Sequence, residues 1–214
     1  MSSLADHWPP YAVQLSEGDL GLRVVSDDDV PGLIDLALSG VHAPGEMPFS
    51  TPWTTDDPAE LPANNVRYYS RVRAGFTPDD FTLLFAVRWR DELVGVQSFA
   101  ARDFTVLRTG ETGSWLALRH QGQGLGTRMR RAVCAFAIDE LGASEITSAA
   151  FLDNPASLAV SRKVGYRPNG TDRLRRLGEL ALNQRLVLTP DTFVRGAPLT
   201  VTGAAGLRSF LRLT

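Results

Sequence analysis

The richest chemistry in this chain lies in Gln121-Gly122-Gln123-Gly124-Leu125-Gly126-Thr127, three glycines at alternate positions ahead of an amphipathic stretch. Glycine lets a backbone turn sharply and approach a ligand without Cβ clashes. Between a strand and a helix, the amides of such a turn converge with those of the first helical turn, where the helix dipole favours an anion. Charge-assisted hydrogen bonds contribute about 1.5–3 kcal/mol each, so a few of them hold a pyrophosphate. Arg119, Arg128, Arg130 and Arg131 are expected to add local positive charge. Two named phosphate loops do not fit. A P-loop ends in Gly-Lys-Ser/Thr, and no lysine stands near Thr127. A dinucleotide fingerprint starting from Gly122 and Gly124 requires glycine where Thr127 stands, and this loop sits mid-chain rather than opening a βαβ array. What remains is a Gln-x-x-Gly-x-Gly cradle, or a plain glycine turn between strand and helix.

Other reactive groups are sparse. Cys134 is the only cysteine, so neither an internal disulfide nor a cysteine-rich zinc site can form, and a reducing compartment is the default. His7, His42 and His120 lack metal-ligand spacing, and no metal is expected. The formal net charge of −2 removes the electrostatic case for a dedicated nucleic-acid binder. No apolar run approaches the roughly 18 residues of a membrane span, and the N-terminus lacks the basic start and apolar core of a signal peptide. The expectation is a soluble cytoplasmic protein without a membrane partner. At 214 residues, with 43% hydrophobic and 21% charged, the composition is that of one globular domain.

The elements around the loop follow from periodicity. Gly21–Val25 reads as a strand, and Ser26 with Asp27, Asp28 and Asp29 as a helix start for Val30, Leu33, Ile34, Ala37 and Leu38. The proline-rich segment 41–65 carries Met47, Phe49 and Trp53, apolar enough to pack over something. Asn64–Gly75 reads as a second helix. Alternation at Leu83, Phe85, Val87 and Trp89, a polar turn, then Leu93, Val94, Val96 and Phe99 predict a β-hairpin. Glu111–Leu118 is the next strand, followed by the glycine loop and a helix lined by Met129, Ala132, Val133, Phe136 and Leu141. A strand at Ile146–Phe151, a helix at Asn154–Val164 and two more strands to Leu188 complete a mixed α/β (α+β) sheet. The core spans about 21–188, and 189–214 form a C-terminal extension without a legible pattern.

Gln121-x-x-Gly124-x-Gly126 resembles motif A of the GNAT superfamily of acyl-CoA-dependent N-acyltransferases. Asn154-Pro-Ala-Ser157-Leu-Ala-Val160, followed by Lys163-Val-Gly165-Tyr166, resembles the second signature of the branch that acetylates ribosomal-protein N-termini. Glu111-Thr-Gly-Ser-Trp-Leu116 resembles that branch's fourth strand. The three motifs occur in order across residues 111–166. The stretch His42–Trp53 resembles an actinobacterial subgroup, some of whose members are regarded as succinyltransferase candidates, which leaves acetyl-CoA and succinyl-CoA both open as donor.

The resemblance implies a mostly antiparallel sheet with splayed fourth and fifth strands flanked by helices. It implies direct acyl transfer from the CoA thioester to an amine of a peptide, protein or small molecule. The pantetheine arm would pair with the backbone of Leu116, Ala117 and Leu118, with an N–H near Leu116 as oxyanion donor. The pyrophosphate would lie on Gln121, Gly122, Gln123, Gly124, Leu125, Gly126 and Thr127. Glu111 matches the proposed general base, and is otherwise a strand-end carboxylate. Ser157 matches the residue proposed to protonate the thiolate, and otherwise only hydrogen-bonds CoA. Asn154 would cap its helix and reach a pantetheine amide. Met47, Phe49 and Trp53 would wall the acceptor pocket, or simply pack in the core. Ser161 stands where many relatives carry a tyrosine acid. Sheet edges and the tail are compatible with a homodimer. The competing function is a non-catalytic acyl-CoA-binding or sensing protein of the same fold, distinguished by CoA binding without transfer.

Overall fold

The computed structural model describes residues 2–55 and 57–213. The helices are α1 (Leu4–His7), α2 (Val30–Leu38), α3 (Leu61–Ala74), α4 (Phe104–Leu107), α5 (Leu125–Ala135), α6 (Pro155–Val164) and α7 (Ala204–Phe210). The strands are β1 (Gln14–Glu17), β2 (Leu20–Val24), β3 (Asp80–Trp89), β4 (Glu92–Arg102), β5 (Thr109–Leu116), β6 (Glu145–Phe151), β7 (Arg167–Arg176), β8 (Glu179–Leu188) and β9 (Thr200–Thr202). They form one sheet in the order β7-β8-β6-β5-β4-β3-β2-β1-β9. Every neighbouring pair is antiparallel except β5–β6. The mixed, mostly antiparallel α/β sheet expected from the pattern is what forms. β1 precedes the first anticipated strand, so the expected fourth and fifth strands are β5 and β6.

Local chemistry accounts for the best-defined turns. Arg90 and Asp91 join β3 to β4 with φ of 50° and 65°, the left-handed pair that matches strand twist in a two-residue hairpin. Asp29, rather than Ser26, organises the entry to α2. Its buried carboxylate accepts from the Ser26 N–H and Oγ, both at 3.0 Å, and from Arg23 at 2.6 Å. Burial would raise the Asp29 pKa, but these donors outweigh it and hold the carboxyl below its usual range.

The two faces of the sheet bury different helices. On one, α5 lays Met129, Ala132, Val133 and, in the π-turn that extends it, Phe136 against Phe85, Phe99 and Val87. Each such side chain contributes about 1.5–3 kcal/mol by leaving water. On the other, α2 and α3 set Val30, Leu33 and Tyr69 against Leu84 and Val96. Alternation along β3 and β4 supplies both faces. Among the described residues, no helix is long and apolar enough to cross a membrane.

Candidate active site

The site is built where the sheet opens. β5 and β6 pair only at Thr109–Glu145, Gly110–Ile146 and Glu111–Thr147. Beyond Glu111, β5 stays with β4, from Thr112 opposite Phe99 to Leu116 opposite Gly95. β6 instead follows β8, from Ser148 opposite Leu186 to Phe151 opposite Asn183. The strands therefore diverge, and a wedge opens between their C-terminal halves. The Ala117 N–H donates to Val94 O at 3.0 Å, on the β4 side. Backbone alternation turns the Leu116 N–H the other way, toward the wedge.

Side chains fill the apex of this wedge. The buried guanidinium of Arg130, from α5, donates to Gln97 Oε1 at 3.3 Å, Ser148 Oγ at 3.2 Å and Ser114 Oγ at 2.9 Å. Ser148 in turn donates to Thr112 O at 3.0 Å. Beneath them, the Tyr166 hydroxyl lies 2.7 Å from Thr112 Oγ1 and 3.4 Å from Cys134 Sγ. Burial pushes the Cys134 thiol up to about 11, although Tyr166 and Arg130 both pull it down, so this thiol is neutral packing rather than a nucleophile.

The glycine loop closes the open end of the wedge. Gly122 and Gly124 adopt φ of 73° and 81°, the left-handed conformation in which glycine is unstrained, and Gly124 caps α5. The amides of Thr127 and Arg128 fold back onto Gly124 O. Those of residues 122–126 have no acceptor among the described residues. Leu125 is buried, and a Cβ on Gly126 would come within 3.4 Å of Val160, so α6 crosses close behind the loop. Gln121 takes a fastening part: its Nε2 donates to Val41 O at 2.7 Å and Leu116 O at 2.9 Å. Gln123 Nε2 reaches back to Arg119 O.

The arginines expected to lend charge here are engaged elsewhere. Arg119 pairs with Glu92, Arg128 with Glu17 and Asp19, and Arg131 donates to Lys163 O. Arg130 points into the wedge apex. An anion at this loop would therefore rest mainly on backbone amides and the α5 dipole. His120 is buried, with Nε2 3.2 Å from Glu92 Oε1. The Leu118 N–H donates to Gly40 O, which leaves Leu116, among residues 116–118, as the amide facing the opening.

The remaining candidates flank the wedge. Asn154 Oδ1 accepts the Ser157 N–H at 3.0 Å and caps α6, as a cap should. Half-buried Ser157 follows in the first turn of α6. Glu111 is exposed at the apex on the opposite face from Thr112. That face continues through Gly113, which has no side chain, to Trp115. Trp53 meets Trp115 at 5.7 Å between ring centroids, and Phe49 meets Trp53 at 5.3 Å. Met47 is buried, and Arg176 donates to its carbonyl while pairing with Asp153 beyond β6, which pins the 41–55 segment across the sheet. The structure thus brings Glu111, Phe49 and Trp53 to one face, and the glycine loop, Asn154 and Ser157 to the mouth of the wedge. Nothing in the sequence singles out Gln97 or Ser148, Ser114 stands there only within the β5 motif, and Arg130 is expected to charge the glycine loop rather than to enter the wedge. A signal existed: Arg130 stands four residues before Cys134 and seven before Ala137, on a line that is otherwise buried.

Residues 19–167 match the acetyltransferase (GNAT) domain family. The chain is also similar to solved structures. Mycobacterium smegmatis RimJ in complex with CoA-disulfide superposes with a TM-score of 0.68 at 19% identity, covering 94% of each chain. The ribosomal alpha-N-protein acetyltransferase RimL in complex with coenzyme A gives 0.67 at 20% identity, covering 82% of this chain and 97% of its own. A chimeric spermidine N-acetyltransferase SpeG from Vibrio cholerae and hSSAT gives 0.64 at 16%, covering 80% and 96%. At these identities the likeness is one of fold. The family match spans the diverging strands, the glycine loop and the helix behind it, and this chain belongs to the acetyltransferase (GNAT) domain family.

Proposed function

We propose that this GNAT acetyltransferase moves an acyl group from a coenzyme A thioester directly to a primary amine of a peptide, protein or small molecule. The observation that carries the reading is the wedge between β5 and β6 ending at a loop whose amides 122–126 are unclaimed. An extended pantetheine arm fits an opened strand pair because it can take up backbone groups that the missing partner strand leaves free. The pyrophosphate would lie on the amides of residues 122–126, at the α5 N-terminus.

In this reading the amine nitrogen attacks the thioester carbonyl carbon from the Glu111–Trp115 face. Glu111 takes the ammonium proton, directly or through water. The Leu116 N–H steadies the oxyanion that forms as the carbon becomes tetrahedral. The C–S bond then breaks: Ser157 passes its proton to the departing thiolate and regains one from the cationic nitrogen, directly or through water, which leaves a neutral amide. Asn154, with Oδ1 committed to its cap, keeps its Nδ2 for a pantetheine carbonyl. Phe49, Trp53 and Met47 wall the acceptor side; this wall carries no formal charge, which suits an α-amine whose neighbouring group is neutral.

Release of free thiol from acetyl-CoA and succinyl-CoA, followed over a panel of peptides and small amines, tests the reading. The expected result is acceptor-dependent thiol release with a mass increase on the amine. Tight CoA binding with no transfer to any acceptor would replace this reading with that of a non-catalytic acyl-CoA binder.

A further inference from the structure

Arg130 is 4% exposed and yet pairs with no carboxylate among the described residues. A guanidinium carries five N–H groups. Three of them go to the neutral oxygens of Gln97, Ser114 and Ser148, and the others have no acceptor. Burying a cation without a counter-ion is costly, and helix positions on an apolar face are normally filled by apolar side chains. If the guanidinium served only to fill space, an uncharged side chain would do so at less cost. If its charge served only to bind the loop's anion, it would point toward residues 122–126. It points instead into the apex of the wedge, bridging β5 through Ser114 and β6 through Ser148.

We propose that Arg130 is the cation at the acyl end of this site, and that it selects thioesters whose acyl chain ends in a carboxylate. The inference rests on the reading of the β5–β6 opening as the acyl-CoA cleft. Ser114, which holds one edge of the guanidinium at 2.9 Å, lies two residues before Leu116 on β5. Strand rise sets these positions roughly 7 Å apart. With the thioester carbonyl on the Leu116 N–H, an acetyl group ends short of Arg130. A four-carbon chain closed by a carboxylate spans the gap and meets the open N–H groups. Hydroxyl and amide partners suit this task, because they orient the guanidinium without cancelling its charge. A carboxylate partner would do both. An uncharged chain of the same length would leave the cation buried and unpaired, which turns charge into selectivity.

Succinyl-CoA and butyryl-CoA have four-carbon acyl groups that differ at the terminal group, so their comparison isolates the charge. Wild-type protein is expected to favour succinyl-CoA by at least about tenfold in kcat/KM, with a matching order of dissociation constants. In Arg130→Gln the succinyl-to-butyryl ratio should fall toward one, and in Arg130→Lys it should be partly kept. If both variants fail to fold, the wild-type dissociation constants decide. A wild-type protein that binds butyryl-CoA as well as succinyl-CoA overturns the proposal while leaving the cleft intact. A wild-type protein that binds no thioester and no free coenzyme A overturns the cleft reading, and this proposal with it.

Discussion

Glu111 and Arg130 sit on opposite sides of the same wedge, one exposed and one buried, and the difference sets what each can do. An exposed carboxylate can accept a proton from an arriving ammonium and return it to water. A buried guanidinium cannot exchange protons usefully and acts as fixed charge. Glu111→Gln keeps the strand geometry while removing the proton acceptor, and turnover should drop by about 10²–10⁴-fold with CoA affinity retained. Steady-state kinetics showing less than about a few-fold loss would return Glu111 to the role of a strand-end carboxylate. Asp29 gives a second residue-level expectation. Its native pKa is lowered, so the unfolded state binds more protons as the medium becomes acidic, and the stability it contributes is present at neutral pH. That contribution is lost as pH falls below about 4. Urea unfolding should therefore show Asp29→Asn less stable than wild type at pH 7, with the gap closing toward pH 3. A constant gap would contradict the assigned cause.

At the scale of elements, the cradle depends on two glycines whose substitution should spare the fold. A Cβ on Gly122 or Gly124 meets nothing within 4 Å, so only the left-handed backbone resists it. Gly124→Val should cost about 1–3 kcal/mol of local strain and abolish coenzyme A binding in a titration. Unchanged affinity in a folded variant would show that the loop is a connection and nothing more. Much at this scale was legible in the sequence. The hairpin of β3 and β4, the strand–loop–helix unit around Gly124 and the capped α6 each carry several agreeing signals within a dozen residues. The start of α3 at Leu61, ahead of the expected Asn64, was hidden because Pro62 is harmless in a first helical turn. β1 and β9 are four and three residues long, too short for alternation to stand out. Arg130 was misjudged for a similar reason: proximity in sequence to the glycine loop suggested a phosphate partner, whereas helical geometry turns its side chain to the core.

The whole molecule treats its C-terminal segment as structure rather than as a tail. β9 pairs with β1, and α7 buries Leu207 completely, with Leu211 equally buried just after it. Phe210 meets Trp8 at 5.4 Å, joining the two ends of the chain over Phe76. Closer to the site, Val194 N–H donates to Val164 O behind α6, and Arg195 pairs with Asp139 in the turn after α5. The segment so braces both helices that flank the wedge mouth. None of this showed in the sequence, because its contacts are long-range and its apolar residues are few and scattered. Leu207→Ala should destabilise the protein by about 2–5 kcal/mol. Chemical denaturation would detect it, and a loss below about 1 kcal/mol would mean that the segment is attached loosely. One measurement bears on the molecule's purpose more directly than any other. Coenzyme A titrated into protein labelled with ¹⁵N at glycine alone should shift the amide resonances of Gly122, Gly124 and Gly126 saturably, leaving Gly178 and Gly203 in place. Binding that moves other glycines and leaves these three unchanged would contradict the assignment of the loop.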